Sequence, residues 1–345
     1  MSAFQQEKLK IDNMKPRISV IMSIYKEPIE WIRLAVDSIL NQTYKDFEFI
    51  IVCDNPEYLE GQSLINEFAN KDGRVVIINN EENIGLTKSL NKAIAISKGE
   101  FIARMDADDV SLNDRFEYLI NYFDSHRKVK VCATNTNKID EYGNVVNTYN
   151  YDSMPDISWL FLDNPIAHSS VMFSRDILSL RTPIYNEDYR SSQDFELWSF
   201  LISSDVNFYI SKEPYLLYRK SANQISQVNR LQQLENSKNA HKKLLFSYLR
   251  SMTNRDIQEN DISEIIQVCE EWLFKTEGIK KKCIEKILYI AFLNGANNDW
   301  TYVLKYIFSP LLLVLRFPVR LSMHLLFIRH YRDSLTKVLY LKQMR

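Results

Sequence analysis

The chain has 345 residues, 46% of them hydrophobic and 25% charged, with a formal net charge of −1. That length and composition suit a globular chain with a sizeable core, as one large domain with an appendage or as two domains, and the near-neutral balance excludes a nucleic-acid binder that works by general phosphate attraction. Four cysteines, Cys53, Cys132, Cys269 and Cys283, lie far apart without a C-x-x-C pair, which excludes a disulfide framework or zinc site and suits reduced thiols in a cytosolic protein.

Residues 1–15 are polar, carry no apolar signal core and read as a flexible lead-in. Pro16 then opens Ile18 to Ile24, apolar on both faces, as expected of a strand in a helix-covered parallel sheet. Pro28 suits the first turn of a helix, in which Trp31, Leu34, Ala35, Ser38 and Ile39 recur at helical spacing. A second strand is predicted from Phe47 to Val52, ending at Cys53-Asp54-Asn55-Pro56, and a helix around Leu64 to Phe68. A third strand covers Val75 to Ile78. Asn83-Ile84-Gly85 precedes a helix from Leu86 to about Ser97, with Gly99 as its C-terminal cap. Phe101-Ile102-Ala103 forms a fourth, buried strand that runs into Arg104-Met105-Asp106-Ala107-Asp108-Asp109. Strand–helix units about 25–30 residues apart are the spacing of right-handed βαβ crossovers.

In such a sheet, ligands bind beyond the carboxyl ends of the strands, where Tyr25, Glu27, Asp54, Asn83, Asp106 and Asp108 gather. Neither G-x-G nor G-x-x-x-x-G-K is present, so the dinucleotide fingerprint and the P-loop are both excluded. A diphosphate here would be held by side chains and a metal. In an extended chain Asp106 and Asp108 share one side and Asp109 faces the other, a hard-oxygen half-site for Mg2+ or Mn2+. The competing reading is a solvated acidic loop, with Asp108 or Asp109 capping the segment after Val110.

Farther on, Arg115 to Phe123 reads as a helix, Val129 to Ala133 as a strand, and Asp140 to Asn144 as a hairpin turn. Asn164 to Phe173 is a loop leading into a strand. Ser191 to Trp198 starts a helix, with Leu197 and Trp198 in the core, and Tyr215 to Arg219 is a short strand. The rest, from about Val228, is mainly helical. Tyr306 to Leu315 is uncharged but too short to span a membrane. Residues 301–345 hold eight Lys/Arg against one acid, Asp333. Within them Leu325, Ile328, Leu335 and Leu339 recur with Arg329, Arg332 and Lys337 between, either a basic amphipathic helix on an anionic membrane or a helix packed on the preceding domain.

The ordered set of I-S-V-I-M-S-I-Y-K-E, Asp54, N-I-G-L-T-K-S-L-N, M-D-A-D-D, P-I-A-H-S-S-V-M-F and Q-D-F-E-L-W resembles the family 2 glycosyltransferases of bacterial surface-polysaccharide synthesis over roughly residues 16–226. The resemblance implies an α/β GT-A fold, a Rossmann-like, mostly parallel sheet flanked by helices. It would comprise a nucleotide-binding half (16–109) and an acceptor half (110–227), followed by a helical extension over 228–345. It implies an inverting transfer from a nucleotide-sugar, most simply a UDP-sugar, to a glycan or polyprenyl-linked saccharide at the inner face of the cytoplasmic membrane. By the same resemblance Tyr25 and Asp54 hold the base, with Ser23, Glu27, Asn83, Lys88 and Arg219 also on the donor. Asp106 reaches the ribose or metal, Asp108 binds the metal, Asp194 is the catalytic base, and His168 and Glu196 lie on the acceptor side. Ser221 stands where many relatives carry a His after Tyr-Arg, so Arg219 or Lys220 is the expected cation for the diphosphate.

Three residue-level alternatives stay open. Ser191-x-x-Asp194 is a near capping box, which would make Asp194 a structural acid. Asp54 suits a turn before Asn55-Pro56. His168 alone would be a satisfied structural histidine. At the level of function, a non-catalytic membrane-associated scaffold and a nucleotidyltransferase are the alternatives.

Overall fold

The computed structural model describes residues 15–149, 164 and 166–221, with Asn236, Ala240 and Val268. Most of the expected lead-in, and the helical and basic C-terminal stretches, lie outside the described residues. By contact the chain divides into two units, 1–156 with 164–241 and 157–163 with 242–345, and every described residue but Val268 belongs to the first.

The strands are β1 (Ile18–Ile24), β2 (Phe47–Cys53), β3 (Val75–Asn79), β4 (Phe101–Arg104), β5 (Val110–Ser111), β6 (Val129–Ile139), β7 (Val145–Tyr149), β8 (Met172–Ser174) and β9 (Asn207–Arg219). The helices are α1 (Ile29–Leu40), α2 (Leu59–Lys71), α3 (Leu86–Ile96), α4 (Arg115–Ser125) and α5 (Gln193–Ser203). One sheet runs β3-β2-β1-β4-β8-β6-β9-β5, with β7 on β6. The β3-β2-β1-β4 half is parallel, as expected from its crossovers. All seven residues of β1 are buried, because helices cover both faces. The second half is mixed: β8 is antiparallel to β4 and to β6, β9 is parallel to β6, and β5 is antiparallel to β9.

The core joins β1, β2 and β4 to α1 and α4 through residues such as Val20, Met22, Ile32, Val36, Phe49, Phe101, Phe116 and Phe123. Each large side chain so buried contributes roughly 1.5–3 kcal/mol against chain entropy. α1 buries Ile32, Ala35, Val36, Ser38 and Ile39. The sequence stripe was therefore one position off at its start, since Leu34 is 49% exposed and Trp31 is half-buried.

Three further expectations are corrected. β9 is thirteen residues long, whereas only its last five read as a strand, because Lys212-Glu213-Pro214 interrupts the apolar alternation. β5 has only two residues and no periodicity to read; β7 is the strand that follows the hairpin turn expected at Asp140 to Asn144. Gly99 is not a left-handed cap. α3 ends at Ile96, its cap Ser97 is extended, and Gly99 has no positive φ. Glycine is needed at 99 because a Cβ there would lie 2.4 Å from the Ser19 backbone nitrogen and 2.6 Å from the Ile18 carbonyl carbon. This close approach seats the chain entering β4 against β1.

Gly99→Ala is therefore expected to lower unfolding free energy by about 1–3 kcal/mol, the usual cost of overpacking. Gly73→Ala, with nothing within 4 Å of its Cβ, should stay within about 0.5 kcal/mol. Urea unfolding of the two variants measures the difference.

Candidate active site

β4 ends at Arg104, Met105 still donates to the Ile21 carbonyl at 3.0 Å, and the chain turns at Ala107-Asp108. Strand alternation does not apply past that point, and Asp106, Asp108 and Asp109 each offer a carboxylate oxygen, all within 4.8 Å of one another. Asp106 and Asp108 are half-buried and Asp109 is fully buried. Neither Asp108 nor Asp109 caps a helix, since the residue at the N-cap of α4 is Asp114.

Asp109 is the anchor. Its Oδ2 accepts from the Ser169 hydroxyl and its Oδ1 from the Arg219 backbone amide at 2.8 Å. Burial, then the charges of Asp108 and Asp106, push its pKa well above the ordinary carboxylate range. The Arg219 guanidinium returns along the same path. Its Nε donates to the Asp108 carbonyl at 2.8 Å and its Nη1 to the carbonyls of Asp140 and Glu141 at 3.0 and 3.1 Å. Its Cζ lies 4.8 Å from the centre of the Trp31 ring. Arg219 thus clasps the acidic loop to β9 and to the β6–β7 turn. Arg115, also buried, donates to the Ser169 carbonyl at 2.5 Å, and burial lowers its pKa to about 9.

At the β2 exit, Asp54 is 3% exposed. Its Oδ1 accepts from the Asn80 amide at 2.8 Å and the Ile84 N–H at 2.9 Å, and its Oδ2 from the Gly85 N–H at 2.8 Å. Asn83 Oδ1 also accepts from Gly85 at 3.0 Å. Gly85 has φ +86°, the left-handed region that favours glycine. Asp54 and Asn83 therefore build the turn that launches α3, and Asp54 does more than terminate a strand. Lys88 is exposed on the first turn of α3. α3 in turn grips a distant segment: the Asn91 amide donates to the Tyr185 carbonyl at 2.9 Å and accepts from its N–H at 3.1 Å, and the Thr87 hydroxyl donates to the Tyr189 carbonyl at 2.7 Å.

Ser23 is buried at the end of β1 and Tyr25 is 36% exposed just beyond it. Glu27 Oε2 accepts from the amides of Tyr25 and Lys26 at 2.6 and 3.1 Å. Burial raises its pKa, and Asp106 adds to the rise.

The residue at the N-cap of α5 is Ser192, left-handed at φ 58° with no side-chain cap bond, so the capping box read at Ser191 does not form. Asp194 lies in the first turn, its Oδ2 accepting from the Asn164 amide at 3.2 Å. Burial raises its pKa. Backbone amides, its own and that of Phe195, oppose the rise, and the charge of Asp106 adds to it. His168 is buried, with Nε2 2.7 Å from the Tyr185 hydroxyl. Burial, then the Arg104 charge, holds its pKa well below the usual histidine range. Both oxygens of Glu196 accept from Arg181, at 2.7 and 2.8 Å.

Glu27, Asp109 and Asp194 thus all feel the charge of Asp106, and Asp108 lies within 4.8 Å of it. The clasp of Arg219 holds the acidic loop, Asp54 and Asn83 hold the turn before α3, His168 and Glu196 pair with Tyr185 and Arg181, and Leu197 and Trp198 are core. Tyr218 and Tyr185 escaped the sequence reading. The phenol of Tyr218 feels Asp109, Asp106, Asp108 and Asp194, which together with burial raise its pKa; that of Tyr185 feels Asp194 and Asp106. No sequence signal distinguishes them among nineteen tyrosines beyond the place of Tyr218 beside Arg219.

Residues 19–187 match the model of the glycosyl transferase family 2. Over 208 residues the chain is 36% identical to an uncharacterised glycosyltransferase of Methanocaldococcus jannaschii, covering 59% of this chain and 71% of that one. Over 192 residues it is 33% identical to the O-antigen biosynthesis glycosyltransferase WbnJ of Escherichia coli, covering 55% of this chain and 73% of that one. Among solved structures, S. aureus TarS 1–349 in complex with UDP-GlcNAc superposes with a TM-score of 0.55 at 15% identity over 81% of each chain, and the match spans 53% of a longer TarS chain. The fold is thus the GT-A-like one of TarS, and the chain belongs to glycosyltransferase family 2.

Because Asp54 accepts three hydrogen bonds, two of them from the backbone of the α3 turn, Asp54→Ala should cost at least about 2 kcal/mol, given roughly 1.5–3 for a bond to a charged group. Chemical denaturation measures this. A loss below about 0.5 kcal/mol would show that the turn holds without it.

Proposed function

We propose that the chain is an inverting hexosyl- or N-acetylhexosaminyltransferase. It would move a sugar from a nucleoside-diphosphate sugar, UDP-linked foremost, to a glycan or polyprenyl-linked saccharide of a bacterial surface polysaccharide (O-antigen, capsule or lipooligosaccharide) at the inner face of the cytoplasmic membrane. The observation that carries this reading is that Asp194, in the first turn of α5, lies near enough to the acidic loop to feel the charge of Asp106. The UDP-GlcNAc bound by TarS and the O-antigen role in the name of WbnJ support the donor and the pathway class.

Inverting transfer is a displacement at the anomeric carbon that needs a base on the acceptor hydroxyl. Asp194 takes this role. Its burial makes it a stronger base than a surface aspartate, and the α5 N-terminus favours its charged form. The carboxylates of Asp108 and Asp106, backed by Asp109, form an oxygen-only set suited to Mg2+ or Mn2+. When bound there, the ion supplies counter-charge to the departing diphosphate. Tyr25, Ser23 and Glu27 at the β1 exit, with Lys88 on α3, line the donor side. Arg219 contributes by holding the loop, with Lys220 the exposed cation beside it.

Asp194→Asn keeps the shape and loses the base, so turnover should fall at least about 10²-fold with donor affinity retained. The base works only when deprotonated and its pKa is raised. Wild-type kcat should therefore fall as pH drops through that raised value, and the acid limb should vanish in the variant's residual rate. Asp108→Ala should abolish transfer with the fold intact, as judged by circular dichroism and by nucleoside diphosphate release. Near-normal turnover of either variant overturns the corresponding role.

A further inference from the structure

The side-chain amide of Asn164 donates to Asp194 Oδ2 at 3.2 Å, and its Oδ1 accepts from the Ile166 N–H at 3.4 Å. The carbonyl end is thus turned back on its own chain, and the NH2 end meets the carboxylate. The residues that follow are fixed from several sides. Ile166, His168, Ser169 and Ser170 are buried. The Ser169 hydroxyl donates to Asp109, and the Ser169 carbonyl accepts from Arg115 Nη1 at 2.5 Å. The Ser170 hydroxyl donates to the Ala167 carbonyl at 2.8 Å, and the Val171 carbonyl accepts from the Arg104 N–H at 2.8 Å. One short stretch therefore touches the carboxylate at the start of α5 through its first residue and the anchor of the acidic loop through Ser169. Asp194 itself is pulled two ways. Burial favours its protonated form, while its own backbone amide, that of Phe195 and the Asn164 side chain favour the carboxylate. Backbone amides come with any helix start. The Asn164 amide is specific to this sequence.

Resting on the function proposed above, we propose that Asn164 is a positioning residue for the base. It holds the Asp194 carboxylate in one rotation, keeps it charged, and ties its place to the stretch that anchors the acidic loop. In the transfer, the proton of the acceptor hydroxyl passes to Asp194 as that oxygen bonds to the anomeric carbon and the diphosphate departs with the electron pair of the broken bond. Asn164 keeps its own protons throughout. A hydrogen bond to the charged form of an acid lowers its pKa, so loss of the Asn164 amide raises that of Asp194 and moves the acid limb of kcat to higher pH. The other groups around Asp194 are accounted for. Asp106 adds to the rise, and the phenols of Tyr185 and Tyr218 are raised and stay protonated. His168 is kept neutral, and Glu196 on α5 is paired with Arg181. Glu27 and Asp109 are raised as well, so the limb is assigned to Asp194 by its response to the residue at 164.

The test is the kcat–pH profile for UDP release from a panel of UDP-hexoses and UDP-N-acetylhexosamines, with UDP affinity measured by calorimetry in saturating Mn2+. It is run on wild type, Asn164→Ala, Asn164→Leu, Asn164→Gln and Asp194→Asn. Asn164→Ala and Asn164→Leu should turn over about 10–100-fold more slowly, the scale of a reacting group misplaced by about 1 Å. Their acid limbs should lie about 0.5–1 pH unit above that of wild type, the size of one hydrogen bond to a charged group. UDP affinity should stay within about threefold, since only the transition state needs the base. Asn164→Gln, which keeps a donor, should recover part of the rate and bring the limb back toward wild type. A general loosening of the fold would weaken UDP binding along with turnover and leave the limb in place. If Asn164→Ala does not fold, Asn164→Leu and Asn164→Gln decide. An unchanged acid limb in the folded Ala or Leu variant, or UDP affinity that falls in step with turnover, overturns the proposal while a dead Asp194→Asn leaves the base reading standing. Near-normal turnover of Asp194→Asn, or wild type that turns over no donor of the panel, overturns the base reading itself and the proposal with it.

Discussion

The structure depends on how three carboxylates, one of them fully buried, are kept together at the end of β4. Three oxygens within 4.8 Å of one another repel strongly where the dielectric is low, and the chain offsets this with buried arginines and directed amides. Arg104 holds Asp106, the amide of Arg219 and the hydroxyl of Ser169 hold Asp109, and the guanidinium of Arg219 holds the Asp108 carbonyl. The mixed half of the sheet follows from this requirement. β8 and β9 are placed so that Ser169, just before β8, and Arg219, at the end of β9, reach the same aspartate.

A second constraint is the hold of α3 on the 185–189 segment. Asn91 uses its amide as both donor and acceptor to the backbone of Tyr185, as a neighbouring strand would. The bidentate Arg181–Glu196 pair then ties that segment to α5. The start of α5, where Asp194 sits, is thereby tied to α3 through this segment. The aromatic contact of His168 with Trp198, 5.9 Å between ring centres, packs the remaining gap.

The parallel half was legible in the sequence because its strands are uninterrupted apolar runs and its helices have clear stripes. The acidic loop was visible too, but its geometry was not. Alternation along an extended chain would send Asp109 away from its neighbours, and only the turn after Arg104 gathers all three. Residues with internal partners were the hardest to read. Glu196, His168 and Asp54 read from the sequence as candidate site residues, the last two with a structural alternative, and here Glu196 pairs with Arg181, His168 with Tyr185, and Asp54 accepts hydrogen bonds from a turn. Their partners Arg181, Tyr185 and Gly85 lie between fifteen and thirty-one residues away, where spacing alone carries no information. Gly99 shows the same limit, since its reason is the proximity of β1, eighty residues back.

The clasp at Arg219 also bears on the order in which the molecule is made. Asp109 and Arg219 are 110 positions apart, and Thr87 and Tyr189 are 102 apart. During synthesis the parallel β1–β4 half is complete long before β9 leaves the ribosome, and contacts of such separation carry the largest loop-closure cost. Until β9 arrives, the acidic loop has neither the amide nor the guanidinium of Arg219. The scaffold therefore sets first, and the centre for chemistry takes its shape only when nearly all of the catalytic fold is present, so that an unfinished chain has no ordered acidic site.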